Sequence, residues 1–148
     1  MARAAYREVV AHLEQALAAI PHLAETRETV ELTIDIRIDI RNALNPLGER
    51  ARMGEHLREA EVLARRLGDQ RRLGRIATFM VIQRLATGDY AEAINFGREA
   101  LTIARALDDR QIEVPATTFL GMTHLARGDL QRLDRYKSYA DNLRTGVM

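Results

Sequence analysis

The chain has 148 residues with 22 basic against 21 acidic side chains, and its formal charge of +1 supplies no long-range field toward nucleic acid or an anionic membrane. Hydrophobic residues at 47% are enough for one continuous core, and aromatics at 5% with no tryptophan suit close-packed helices of alanine and leucine better than a sandwich or barrel, so the expected class is all-α. Cysteine is absent, which excludes disulfides and thiol chemistry; there is no signal-peptide core or membrane-length apolar run, so a cytoplasmic location is expected.

Residues 3–23 place Val9, Leu13, Ala16, Leu17, Ile20 and Leu23 on one helical face, and Pro21 is where that helix should turn. Thr26 is a candidate cap for the next element. Over residues 27–47, Val30, Leu32, Ile34, Ile36, Ile38 and Ile40 alternate with polar residues, which alone is the pattern of a half-buried strand. A repeat argues for helix instead. Gly48, Gly88 and Gly128 lie 40 residues apart, and at that offset Ile40, Met80 and Leu120 coincide, as do Ala60, Ala100 and Ala140, and Leu63, Ile103 and Leu143. Residues 27–47 then occupy the slot of 70–87 and 110–127, whose apolar spacing is helical, as in Ile76, Phe79 and Met80.

Each copy continues with a turn at its glycine and an outer helix over about 51–67, 90–107 and 130–145. Asp69 and Asp109 are placed to cap the inner helix that follows, and Ala60, Ala100 and Ala140 allow close helix crossings. Residues 3–23 match such an outer helix at an offset of 44. The expected organisation of residues 1–148 is therefore a single domain: a half repeat over 3–23, then repeats over about 27–67, 70–107 and 110–145, giving about seven antiparallel helices.

Little points to catalysis. His12, His22, His56 and His124 contain no pair three or four residues apart, so no metal is expected. Ser138, the sole serine, has no nucleophile-elbow context, and no glycine-rich phosphate loop exists. Glu55, Glu59 and Glu61 alternate with Arg58, Arg65 and Arg66 as on a solvated face. No catalytic residue, enzyme activity or cofactor is expected.

The segment Gly88-Asp89-Tyr90-Ala91-Glu92-Ala93-Ile94, followed by Arg98-Glu99-Ala100-Leu101, resembles the tetratricopeptide repeat family. Residues 25–49 together with 57–75 are similar to the repeat region of large bacterial signalling proteins that join a nucleotide cyclase domain and an ATPase module to such repeats. The resemblance implies a right-handed α-α superhelix that binds a protein or peptide on its concave side, as a regulatory segment. It also implies a groove lined by Ile38, Asn42 and Asn45 from the first copy, Arg75, Thr78, Phe79, Ile82 and Leu85 from the second, and Thr118, Met122 and Leu125 from the third. Arg75 and Asn42 have the chemistry for a peptide carboxylate or backbone. Phe79, Ile82 and Phe119 are also readable as core, the two phenylalanines equally so. The alternative is a sensory domain closing on a small molecule or signalling peptide, which a deep apolar pocket around Phe79, Ile82 and Met122 would favour over a polar trough. RNA binding would need clustered basic residues on the inner helices, where only Arg37, Arg41, Arg75 and Arg84 are available. Self-association through the terminal helices is expected, because the faces of Val9, Leu13 and Leu17 and of Leu133, Tyr136 and Leu143 lack neighbours in the repeat scheme.

Overall fold

The computed structural model describes residues 2–146, apart from the side chains of Leu130, Arg132, Leu133, Tyr136, Tyr139, Ala140 and Leu143. The described residues are helical throughout, without a strand: α1 (Ala2–Ala19), α2 (Arg27–Leu44), α3 (Arg50–Leu67), α4 (Gln70–Ala86), α5 (Tyr90–Leu107) and α6 (Arg110–Thr145). Each helix packs on the next in sequence, and α4 also packs on α6.

The alternating segment is helical, and its pattern has a packing cause. Val30, Ile34 and Ile38 are spaced by four and join Leu57, Ala60 and Ala64 of α3 and Leu73, Ile76 and Met80 of α4 in one core. Ile36, Ile40 and Leu44, also spaced by four, join Val10 of α1, Leu47 and Met53 in a second. Two helical stripes nearly opposite each other on α2 interleave in sequence as strict alternation. The helix opens on a capping box in which the Thr26 hydroxyl accepts the Thr29 N–H at 3.2 Å and the Thr29 hydroxyl accepts the Thr26 N–H at 2.8 Å.

Left-handed residues close successive helices at Gly48, Gly68, Gly88 and Asp108, so the turn recurs every 20 residues and the helix pair every 40. The closures after α3 and α5 are alike: the N–H of Asp69 bonds the Ala64 carbonyl at 3.0 Å and that of Asp109 bonds the Ala104 carbonyl at 2.9 Å. Asp69 and Asp89 then accept the Arg72 and Glu92 N–H groups as caps of α4 and α5.

The next turn in this register, at Gly128, does not form. Residues 110–127 and 130–145, expected as two helices, are one helix of 36 residues, so the described residues form six α-helices and not seven. Glycine permits a left-handed closure without compelling it. The earlier turns are held by the apolar face of the helix that returns, which on α5 includes Ile94, Leu101 and Ala104; the aligned residues after Gly128 are Asp134, Asp141 and Arg144. A hairpin there would bury less, while a straight helix keeps its backbone hydrogen bonds across the glycine. The side chains of Leu133, Tyr136, Ala140 and Leu143, on which the reading of this outer helix rested, lie outside the described residues.

Ala60 and Ala100 are fully buried at their crossings. A third core joins Ala77 of α4 to Ala100 and Ala104 of α5 and to Ile112 and Ala116 of α6. Gly97 of α5 lies so close to Leu120 of α6 that an added Cβ would come within 2.8 Å of its Cδ1.

Candidate functional site

Helices α2 and α4 are tied together by one arginine. Arg72 donates from Nε and Nη2 to the two carboxylate oxygens of Asp35 at 2.8 and 2.7 Å, and from Nη1 to Asp69 at 2.7 Å. This is the planar bidentate geometry that only arginine provides. The two carboxylates raise the Arg72 pKa further. Burial opposes ionisation of Asp69, yet hydrogen bonds from the Arg72 backbone and guanidinium outweigh it and lower its pKa.

Around this clamp lies a cavity of about 400 Å³, lined by Asp35, Asp39, Asp69, Arg71, Arg72 and Arg75. Arg71 reaches Asp109 at 3.2 Å. Asp39 and Arg75 are exposed and make no side-chain hydrogen bond or close ion pair among the described residues. Burial and the neighbouring Asp35 carboxylate raise the Asp39 pKa, with Arg75 opposing them. The cavity thus offers one acceptor and one donor of opposite charge beside a clamp in which Arg72 already binds two carboxylates.

Further along the same two helices the chemistry changes. Arg41 is buried at 6% exposure, its guanidinium 4.3 Å from the centre of the Phe79 ring. Its Nη1 donates to the Asn42 side-chain oxygen at 3.1 Å, and its Nε is buried without a hydrogen-bond partner. Burial lowers its pKa. Phe79 packs one side against the core of α2, α3 and α4 and remains half-exposed, as do Ile82 and Leu85.

The residues expected in a groove are therefore divided. Arg75 lines the cavity, and Asn42 is exposed beside Arg41. Ile38 and Thr78 are corrected to core: Ile38 is 1% exposed among Ile34, Leu57, Ile76 and Met80, and Thr78 is 4% exposed with its hydroxyl donated to the Gly74 carbonyl at 2.9 Å. Both face the neighbouring helices rather than a partner. Asn45 is exposed in the short 3-10 turn that ends α2, where its carbonyl accepts the Gly48 N–H. Thr118, Met122 and Leu125 are exposed on α6 and do not line the α2–α4 cavity, and Phe79, Ile82 and Met122 line neither that cavity nor the one between α1, α2 and α3.

Sequence reading missed Asp35, Asp39 and Arg72, whose signal was their spacing at 35/39 and 72/75, one helical turn apart on the two helices that Arg72 links. It also missed a second cavity of about 370 Å³ between the end of α1, α2 and α3, lined among others by Leu17, Ile20, Leu23, Thr33, Arg37 and Leu63. Arg37 there pairs with Glu59 and lies 3.2 Å from His56 Nδ1. No group of three His, Asp or Glu side chains that could hold a metal ion occurs among the described residues, and none of the described helices is long and apolar enough to cross a membrane. A scan of protein-family models and a comparison with curated proteins find no match to this chain.

Proposed function

We propose that this chain is a binding module that holds a segment of another protein on the surface shared by α2 and α4. The observation that carries this reading is the cavity itself: Arg72 is locked by Asp35 and Asp69, while Arg75 and Asp39 line it exposed and without a hydrogen bond or close ion pair among the described residues. A polypeptide supplies what such a rim selects, an acidic and a basic group at short spacing, together with apolar side chains for the adjacent Phe79 and Ile82. The helical repeat of 40 residues supports a right-handed α-α superhelix of the tetratricopeptide type in which these helices form the concave side. The resemblance to repeat regions of bacterial cyclase–ATPase proteins supports a regulatory role within a signalling protein.

Selection from a random peptide display library against the purified chain tests the assignment. Enriched peptides are expected to carry paired acidic and basic residues, and to lose at least tenfold in affinity when Asp39→Arg and Arg75→Glu are combined. The exposed α5 substitution Glu92→Gln should leave binding unchanged. Peptides that bind the charge-reversed variant as tightly as the parent would place the interaction elsewhere.

A further inference from the structure

The outer face of α6 is open where the same face of α4 is covered. At the 40-residue offset Val114, Thr117, Thr118, Gly121, Met122 and Leu125 correspond to Gly74, Ala77, Thr78, Val81, Ile82 and Leu85. All six are exposed on α6, Val114, Met122 and Leu125 by more than half, whereas on α4 the first four are buried and the last two half-buried. The internal repeat also shows what covers such a face. Ala77 packs against Ala100 and Ala104 of α5, and Gly74 packs against Ile103 of α5 and Ile112 of α6.

The counterpart of α5 is residues 130–145, in which Leu130, Leu133, Tyr136, Ala140 and Leu143 align with Tyr90, Ala93, Phe96, Ala100 and Ile103. Within one chain these residues cannot reach the open face. The helix runs straight through Gly128, and at about 1.5 Å per residue Thr117 and Ala140 are roughly 35 Å apart along it. A second copy can supply the segment. Thr117 and Ala140 lie equally far before and after the Gly128–Asp129 bond, as Ala77 and Ala100 do around Gly88–Asp89. Two α6 helices laid antiparallel about a two-fold axis at that bond bring Thr117 of each copy opposite Ala140 of the other.

We propose that two copies of this chain pair through α6 in this way, residues 130–145 of each covering the Val114–Leu125 face of the other. The helices can approach closely at the crossing, because a Cβ placed on Gly121 or Gly128 meets no atom within 4 Å. Pairing gains the burial of two outer segments and breaks no backbone hydrogen bond at Gly128, which a hairpin in one chain would have to do. The charged Asp134, Asp141 and Arg144 narrow the apolar stripe.

The chain has no cysteine, so thiols can be introduced one at a time. Equimolar Thr117→Cys and Ala140→Cys chains, mixed under mild oxidation at tens of micromolar, are expected to give a bridged heterodimer several-fold faster than either variant alone. Light scattering should give twice the monomer mass for the parent, and a monomer for Met122→Glu combined with Leu125→Glu, with the helical circular dichroism retained. A monomer mass for the parent at every concentration overturns the proposal. So does a Thr117→Cys, Ala140→Cys double variant that bridges within one chain, since that is the closed hairpin. A dimer that survives both glutamates would likewise show that pairing uses another surface.

Discussion

His56 sits half-buried on α3, with the Arg37 guanidinium 3.2 Å from its ring. Burial, and then the charge of Arg37, hold its pKa below the ordinary 6.5. The unfolded chain therefore takes up a proton at His56 as pH falls through about 6.5, while the folded chain resists until lower pH. The stability that neutral His56 contributes is full above that value and is lost as pH falls through the folded pKa. Thermal melts between pH 7 and pH 5 should show a falling midpoint, and His56→Gln should flatten part of the slope; an unchanged slope would mean that the ring is not held neutral. Asp39, whose pKa is raised, works in the opposite direction at more acidic pH, where its protonation favours the folded chain. Arg41 raises a different question, because its charge is buried, its Nε has no hydrogen-bond partner, and it forms no ion pair with a carboxylate among the described residues. Arg41→Met keeps the stem and removes the desolvated charge, at the expense of a cation–π contact worth about 1 kcal/mol. The variant is expected to melt no lower than the parent, within about 1 kcal/mol. A loss of several kcal/mol would mean that the guanidinium is a structural requirement.

At the scale of elements, the turns carry the repeat. Gly48, Gly68 and Gly88 adopt the left-handed conformation freely, but Asp108 holds the same conformation at φ 52° with a side chain. That conformation costs a non-glycine residue about 1 kcal/mol, somewhat less for aspartate. Asp108→Gly should therefore stabilise the protein by about 0.5 kcal/mol, and Gly68→Ala should destabilise it by about 1 kcal/mol, both read from urea midpoints. The inverse order would show that these closures are not the register of the repeat. Close crossings are the second device. Ala100 is fully buried against α4 and α6, and Ala100→Leu should cost roughly 1 to 3 kcal/mol by overpacking. Equal melting temperatures would remove Ala100 from the crossing.

The molecule as a whole is built by neighbour-on-neighbour packing, with α1 resting on α2 and the short turn after it. Stability in such an arrangement is close to a sum of local interfaces, so an end element can be removed without collapse. Deleting residues 1–24 should leave α2 to α6 helical by circular dichroism and lower the melting temperature, because Ile36 and Ile40 lose their cover in α1. Loss of all helical signal would mean that α1 nucleates the fold. Ion pairs at the surface, such as Arg65 of α3 with Glu99 of α5 and Arg66 of α3 with Glu25 of the loop before α2, each contribute at most about 1 kcal/mol.

Read alone, the amino-acid sequence determined the all-helical class, the 40-residue offset and most helix ends, since apolar spacing, left-handed glycines and capping aspartates act within a few residues of themselves. Arg75 and Asn42, read from the sequence as polar groups open to a partner, are both exposed. The tertiary structure decided what depends on two helices at once. Ile38 is core because α2 meets α3 and α4 there, and Thr78 is buried on α4, which packs on α5 and α6. The alternation of Val30 to Ile40 marks a helix buried on two sides, which becomes visible only when α1 lies on one flank and α3 and α4 on the other. The bidentate clamp of Arg72 on Asp35 joins residues 37 positions apart that share no local pattern. Gly128 is the same lesson in reverse: its sequence context matches the earlier turns, but one helix of 36 residues runs through it, and the segment that would return carries Asp134, Asp141 and Arg144 where α5 has Ile94, Leu101 and Ala104.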